Sequence, residues 1–209
     1  MRKIALLVGL TASALSLTAA DKNLYGVTVD TGVINYKSYN SKSAYADAKF
    51  YLWINRDETA FCNRNVSIAN VVLSSKYKDF QFSNYFIRKK GRVEFGFGES
   101  MGYLVHDSIT RAAYSINQRA TTINKTQKAP FFSLAGYTAI GINSSLNLSL
   151  FAEYKIPLDR ADLKDSYKGS AWLLYENGAY LKAEYNKFNF RGFKSEEDIS
   201  LGIGYAYRF

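Results

Sequence analysis

The amino-acid sequence predicts an all-β protein that closes into an antiparallel, up-and-down transmembrane β-barrel of ten strands, with eight strands as the alternative. Three observations lead to this prediction. Apolar and polar residues alternate with period two in many segments, and turn residues separate those segments. After position 20, no apolar run is long enough for a membrane helix, and none is longer than the five residues of Phe50–Ile54.

Residues 1–20 have the pattern of a secretory signal peptide, which leaves 21–209 as the barrel domain. Two basic residues precede an apolar run, and small residues stand before Asp21. We therefore expect export and cleavage before Asp21. The apolar run is shorter than the ~20 residues that a single membrane anchor needs.

The last segment shows the alternation most clearly, because its apolar and aromatic residues all fall on one face: Ile199, Leu201, Ile203, Tyr205, Tyr207 and Phe209. The residues between them are small or polar. Asn177-Gly178 separates two alternating segments and predicts a two-residue hairpin turn with positive φ at both positions. Residues 143–145 predict a second turn of this kind between neighbouring segments.

Eight segments alternate clearly, at 24–35, 44–54, 92–105, 130–142, 145–157, 169–176, 179–189 and 197–209. The stretch between the second and third of them is less regular. Val66–Ser75 and Phe80–Arg88 form one more hairpin in the ten-strand interpretation, and an irregular excursion or a short helix near 65–75 is the alternative. A weak helical pattern also occurs at Thr110–Asn124.

Contact with lipid, rather than with a second protein layer, is favoured for the apolar faces. Nearly every segment has one, no further apolar layer remains to cover them, and aromatic residues gather near segment ends as in membrane girdles. A closed barrel also leaves no unpaired strand edge in the bilayer. Glu99 is the misfit, because it shares an apolar face unless a bulge at Gly96 and Gly98 shifts the register.

These features together resemble the small outer-membrane β-barrels of Gram-negative bacteria, in particular the opacity-type and outer-membrane-protein-A-transmembrane-like group. The resemblance implies an outer-membrane location and a C-terminal pattern read by the barrel-assembly machinery, carried here by Leu201, Ile203, Tyr205, Tyr207 and Phe209. It also implies periplasmic termini and periplasmic turns at 143–145 and 176–178. The outward loops would then lie near 36–43, 106–129, 158–168 and 189–197, with 76–79 added for ten strands.

The segment 106–129 is rich in basic residues, and no acidic residue occurs between Asp107 and Glu153. Arg111, Arg119, Lys125 and Lys128 are candidates for contact with the phosphates of lipopolysaccharide or with another anionic surface ligand, from a host or from another cell. A solvated loop without a ligand is the alternative.

His106-Asp107-Ser108 permits an enzyme hypothesis, because it resembles the His-x-Ser pair of outer-membrane lipid A deacylases. Nucleophilic catalysis requires a base within reach of the hydroxyl and a group that orients the base. The match covers three residues and no glutamate follows until Glu153. We therefore expect no enzymatic activity, with a deacylase-like hydrolase as the minor alternative.

Several charged residues fall on the face opposite the apolar one and are expected to line the barrel interior: Glu153, Lys155, Lys182, Glu184 and Arg208. In a narrow barrel such side chains would pair and fill the interior rather than form a wide pore. One cysteine excludes an internal disulfide, and one histidine with one cysteine excludes a zinc site built mainly from them. No cofactor or nucleic-acid partner is expected.

The expected function is that of an integral outer-membrane barrel in contact with membrane lipids and lipopolysaccharide. Its role would be structural or in surface interaction, through envelope integrity, adhesion or loop contacts. A narrow channel for small solutes is the alternative.

Overall fold

The structure, a computed structural model, describes residues 23–37, 40–55, 64–112, 121–159, 163–191 and 195–208. At 23–24, 53–55, 108–112, 121–125 and 208 it describes the backbone alone. The predicted signal peptide, Arg119 and Phe209 lie outside the described residues.

Ten antiparallel strands form one closed barrel in chain order, and β1 pairs with β10 to complete the ring. The strands are β1 (Asn23–Tyr36), β2 (Ser41–Asn55), β3 (Arg64–Ser74), β4 (Tyr77–Lys90), β5 (Val93–Ala112), β6 (Thr121–Gly141), β7 (Leu146–Pro157), β8 (Leu163–Tyr175), β9 (Ala179–Phe190) and β10 (Glu196–Arg208). The predicted closed barrel and its ten-strand count are confirmed. Among the described residues we find no helix with the length and apolarity needed to cross a bilayer.

The irregular stretch after the second predicted segment forms β3 and β4, so neither the short helix nor the irregular excursion is correct. Each of these strands pairs along its length with both neighbours. The weak helical pattern at Thr110–Asn124 is also overridden in its described parts, because β5 continues to Ala112 and β6 starts at Thr121. The side-chain pattern of these segments is ambiguous. They form strands because pairing with a neighbouring strand satisfies the hydrogen bonds of their backbone N–H and C=O groups.

The turn at Asn177-Gly178 differs from the prediction. It is a three-residue connection, 176–178, between β8 and β9, and in it only Gly178 has a positive φ, of 91°. The Gly178 amide donates to the Tyr175 carbonyl at 3.0 Å, as in a type I turn followed by a left-handed glycine. The turn at 143–145 is present, and the Asn143 side chain accepts a hydrogen bond from the Ser145 amide at 2.9 Å.

The connections of an up-and-down barrel alternate between its two ends. Those after β1, β3, β5, β7 and β9 lie at one end, which we call the loop end. The turns at 91–92, 142–145 and 176–178 share the other end with Asn23 and Arg208, and we call it the terminus end. This grouping agrees with the one expected from the sequence, and the assignment of the terminus end to the periplasm stays an expectation.

Alternation along each strand sends one set of side chains into the barrel and the other outward. The outward set includes large apolar side chains of very high exposure, such as Ile203 at 64% and Leu201 at 63%. Phe82 and Met101 are similarly exposed on the opposite part of the ring. We call these outward apolar side chains the outward band.

Candidate site in the barrel interior

The end of the interior near the loops is filled by apolar side chains that we call the apolar plug: Ile34, Tyr36, Tyr45, Val72, Tyr77, Leu104, Ala129, Phe131, Leu163, Phe188 and Phe190. They come from eight different strands, so they meet only because the sheet closes. Phe131 is 1% exposed, and its ring lies 4.4 Å from the Lys155 ammonium in a cation–π contact. The plug therefore rests directly on charged residues.

Below the plug, a layer of charged side chains crosses the interior, and we call it the ion-paired layer. Its centre is Lys182, whose Nζ lies 2.8 Å from Asp30 Oδ1 and 2.8 Å from Asp47 Oδ2. Lys49 also donates to Asp47, and the Tyr180 hydroxyl donates to Asp30 Oδ2 at 2.8 Å. Each buried carboxylate at this centre thus has a cationic partner, which is what burial of charge requires.

A second group in the ion-paired layer surrounds Lys155, which pairs with Asp79 and lies 3.7 Å from Glu153. Glu153 also accepts hydrogen bonds from the Gln81 amide and, at 2.6 Å, from the Ser133 hydroxyl. The contacts of Gln81 with Glu153 and of Lys155 with Asp79 join residues more than 70 positions apart. The group therefore ties β4 to β7 across the interior.

Glu184 extends the layer. It lies 3.0 Å from Lys168 and 3.9 Å from Lys182 and accepts from the Asn186 amide at 3.1 Å. The same amide donates to Asp198 at 2.8 Å. Hydrogen bonding therefore continues from the charged centre to the acidic residues of β10.

Within the part of the chain that the structure describes, the terminus end of the interior is open. A cavity of about 570 Å³, which we call the vestibule, reaches from the turns of this end to the ion-paired layer. Its walls include the aromatic side chains of Tyr51, Tyr85, Tyr137, Phe151 and Trp172. Its floor is charged, with Lys49, Glu153, Lys168 and Glu184. The vestibule is thus a blind recess that ends where the ion-paired layer begins.

The structure places four of the charges expected in the interior there: Glu153, Lys155, Lys182 and Glu184 are all buried. Arg208 ends β10, and its side chain lies outside the described residues. Sequence reasoning did not single out Asp30, Asp79, Lys168 and Asp198. They occupy inward positions between outward residues of the same strands, so the period-two pattern could have found them.

The basic residues proposed for anion contact belong to β5, β6 and the connection between them. The β5–β6 hairpin continues past the end of β4, with six further residue pairs from Asp107↔Thr126 to Ala112↔Thr121. We call this the projecting hairpin, and at ~3.4 Å per residue it extends about 20 Å. Backbone register sets Lys125 opposite Ser108, and Arg111 opposite Thr122. Lys128 is exposed nearer the barrel.

His106 lies inside the barrel and is 2% exposed. Its ring centroid is 4.3 Å from that of Phe188 and 5.5 Å from that of Phe190. Its Nε2 lies 3.9 Å from Glu196 Oε2, and Asp107 accepts from Thr126 at 2.7 Å. The Ser108 side chain lies outside the described residues. Aromatic rings thus enclose the imidazole of the candidate deacylase motif.

The C-terminal pattern lies on the outward face of β10. Leu201, Ile203, Tyr205 and Tyr207 are all exposed there, and Phe209 lies outside the described residues. Across the described part of the chain, no group of three or more His, Cys, Asp or Glu side chains is arranged to hold a metal ion.

Glu99 remains on the outward face. β5 pairs without a register shift along both β4 and β6, so the bulge that would have moved Glu99 is absent. Its register partner on β4 is Asn84, which is also outward. The outward band thus contains a polar pair within its apolar surface.

These features define a class: a closed ten-strand barrel with an apolar outer face and a filled interior. No family model and no curated protein matches the sequence. Similar solved structures include a NanC porin, at 10% identity and a TM-score of 0.42 over 88% of this chain and 98% of that chain. Another is the beta domain of the Bordetella autotransporter BrkA. Its sequence identity is 10% and its TM-score is 0.44, over 90% of this chain and 100% of that chain.

A third similar structure is an outer membrane channel from Pseudomonas putida F1, at 8% identity and a TM-score of 0.42 over 92% of this chain and 97% of that chain. The three are described as a porin, an autotransporter domain and an outer membrane channel, and TM-scores of 0.42 to 0.44 carry no argument about this chain. The narrower resemblance to the opacity-type group stays an expectation.

Proposed function

We propose that this chain is an integral outer-membrane β-barrel with a structural or surface-interaction role, and that it does not form an open pore. The observation that carries the proposal is the apolar plug together with the ion-paired layer beneath it. Paired charges and close-packed rings occupy the section through which a solute would have to pass.

A location in the membrane is supported by the outward band. The outward face of the closed sheet carries leucine, isoleucine and phenylalanine side chains that are more than 60% exposed. Exposing such apolar surface to water costs roughly 25 cal/mol per Å². In a bilayer the same surface faces hydrocarbon, and the closed ladder leaves no strand edge unpaired. The signal-peptide pattern and the C-terminal pattern favour the outer membrane and recognition by the barrel-assembly machinery.

A surface-interaction role is supported by the projecting hairpin. It stands beyond the neighbouring strands, with Arg111 and Lys125 in its strands and Lys128 at its base. Arg119 belongs to the connection between β5 and β6 and lies outside the described residues. Asp107 anchors that base through its amide, which donates to the Lys76 carbonyl at 2.7 Å. We propose that these basic residues contact phosphates of lipopolysaccharide or an anionic ligand on a host or cell surface.

In planar lipid bilayers, the purified folded protein is expected to produce no stable unit currents, because the interior is blocked by packed and paired side chains. Porin inserted under the same conditions provides the positive control. Reproducible unit currents from the wild-type protein would contradict the closed interior and favour the alternative, a narrow channel for small solutes that the vestibule would feed.

Replacing Arg111, Arg119, Lys125 and Lys128 together by alanine is expected to weaken binding to lipopolysaccharide-containing vesicles by roughly tenfold or more. Each exposed charge contact contributes up to ~1 kcal/mol, and about 1.4 kcal/mol corresponds to a factor of ten. The measurement is vesicle co-sedimentation at low and high salt.

The matched control removes four other exposed basic residues near the loop end, Lys42, Lys78, Lys164 and Arg191, and lowers the net charge equally. An equal loss in both variants would mean that net charge, and not the projecting hairpin, governs binding. Unchanged binding in the hairpin variant would reject the proposed contact.

A further inference from the structure

A polar pair lies in the middle of the outward band, at the junction of β4 and β5. Asn84 and Glu99 are directly opposite in the strand register, and both point outward. Along β4, Asn84 stands between the outward residues Lys78 and Arg88, which bound the apolar part of that strand. The pair therefore lies near the level of the membrane midplane, where a charged side chain facing lipid is most destabilising.

Among the described residues, each of the two side chains has hydrogen-bonding groups without a partner. Among the described residues, Glu99 has no hydrogen bond or ion pair, and it is exposed. Asn84 has one contact, in which its Oδ1 accepts from the Ser67 hydroxyl at 3.4 Å. The amide NH₂ of Asn84 therefore has no described acceptor, and the Glu99 carboxylate has no described donor.

Large apolar side chains lie above and below the pair. Above it on the two strands are Phe82 and Met101, which face each other in the register. Below it, the rings of Phe86 and Phe97 stack at 5.4 Å. A polar pair between large apolar side chains, at this level of the membrane, offers a partner chain both hydrogen bonding and close packing.

We propose that this surface is the interface of a homodimer, in which a second copy of the chain packs against it in the membrane. A twofold axis along the membrane normal, lying outside the barrel in front of the β4–β5 junction, sets Asn84 of each copy against Glu99 of the other. Both amide NH₂ groups then donate to a carboxylate across the interface. The contact is self-complementary, as a twofold interface must be.

A second copy fits this surface better than lipid does. Acyl chains offer no donor to Glu99, whereas the second copy supplies one donor and one acceptor at the required positions. Because Asn84 and Glu99 are side by side, a single symmetry operation satisfies both. In the bilayer, a polar contact between chains replaces two groups that are otherwise left facing hydrocarbon.

The association is tested by Förster transfer between labelled copies in lipid vesicles over a range of protein-to-lipid ratios. The wild-type protein is expected to dimerise, and Glu99→Leu and Asn84→Leu are each expected to weaken dimerisation by roughly tenfold, since each removes hydrogen bonds between the two copies that contribute ~1–2 kcal/mol. Glu99→Gln keeps an acceptor and should retain most of the association. Thr31→Val, an outward substitution on β1, is the control and should leave it unchanged.

Exchange of the two residues, Asn84→Glu with Glu99→Asn, should restore dimerisation, because the reciprocal contact survives the swap. In a Cys62→Ser background, Met101→Cys should cross-link through a short bis-maleimide. Ile203→Cys, at similar exposure on β10, should not. Heat-modifiable electrophoretic mobility verifies that each variant is folded.

A wild-type protein that stays monomeric at all ratios overturns the proposal. So does a dimer that Glu99→Leu and Asn84→Leu leave intact, or one that cross-links through Ile203→Cys but not through Met101→Cys. Loss of the dimer in the leucine variants, with recovery in the exchanged variant, supports it. The conductance test reports on the interior and is independent of these results.

Discussion

Replacing Lys182 by methionine is expected to lower the free energy of unfolding by about 3–5 kcal/mol, the cost of removing one partner from a buried ion pair. Lys182 is the shared cation of Asp30 and Asp47, at 2.8 Å from each, and its side chain is 2% exposed. Methionine has similar bulk, so the main loss is electrostatic. Lys49 still pairs with Asp47, and Asp30 loses its closest cation.

The measurement is urea-induced unfolding of the detergent-folded protein, followed by tryptophan fluorescence and by heat-modifiable mobility. Lys187→Met is the matched control on the same strand. Its ammonium lies 3.7 Å from Glu197, and both side chains are partly exposed, where a pair contributes about 0–1 kcal/mol. Equal losses in the two variants would show that the ion-paired layer does not stabilise the barrel. Adding Asp30→Asn to Lys182→Met should recover part of the loss.

Replacing Phe131 by alanine is expected to cost about 3–5 kcal/mol, because a buried phenyl ring is lost and a void remains in the apolar plug. The ring is nearly inaccessible at 1% exposure and also contacts the Lys155 ammonium. That ammonium would lose its aromatic partner while keeping Asp79. The same urea unfolding series measures the effect.

Phe132→Ala, at the adjacent outward position, is the control. Acyl chains fill the space that this truncation leaves, so the loss should be smaller. A loss for Phe131→Ala no larger than that for Phe132→Ala would show that the plug is loosely packed. Together with the conductance measurement, this pair of variants tests whether the loop end of the interior is closed.

The strand pattern was predictable from the sequence because it is local. Alternation at residues 199–209 or 145–157 needs only the period of a strand. The β3–β4 hairpin was ambiguous for the converse reason. Its residues alternate imperfectly. They form strands because β3 pairs with β2 and β4 pairs with β5 in the closed ring.

The sequence predicted several of the charged residues that line the interior, but not which of them form ion pairs with each other. Alternation places Glu153 and Lys182 inside, yet nothing in the sequence indicates that Lys182 pairs with Asp30, which is remote from it in the chain, or that Lys155 pairs with Asp79. Those partners depend on the register of all ten strands around the ring. The position of Glu99 was likewise undecided until continuous pairing excluded the bulge.

By itself, the sequence determined that this chain forms strands with one apolar and one polar face, because side-chain direction alternates with every residue. It also determined that the apolar faces need a covering that the chain does not supply. Which charges meet, where the interior is filled and that Asn84 lies beside Glu99 follow from the folded barrel and not from the local pattern. These are distances between residues remote in the chain, and ring closure and register set them.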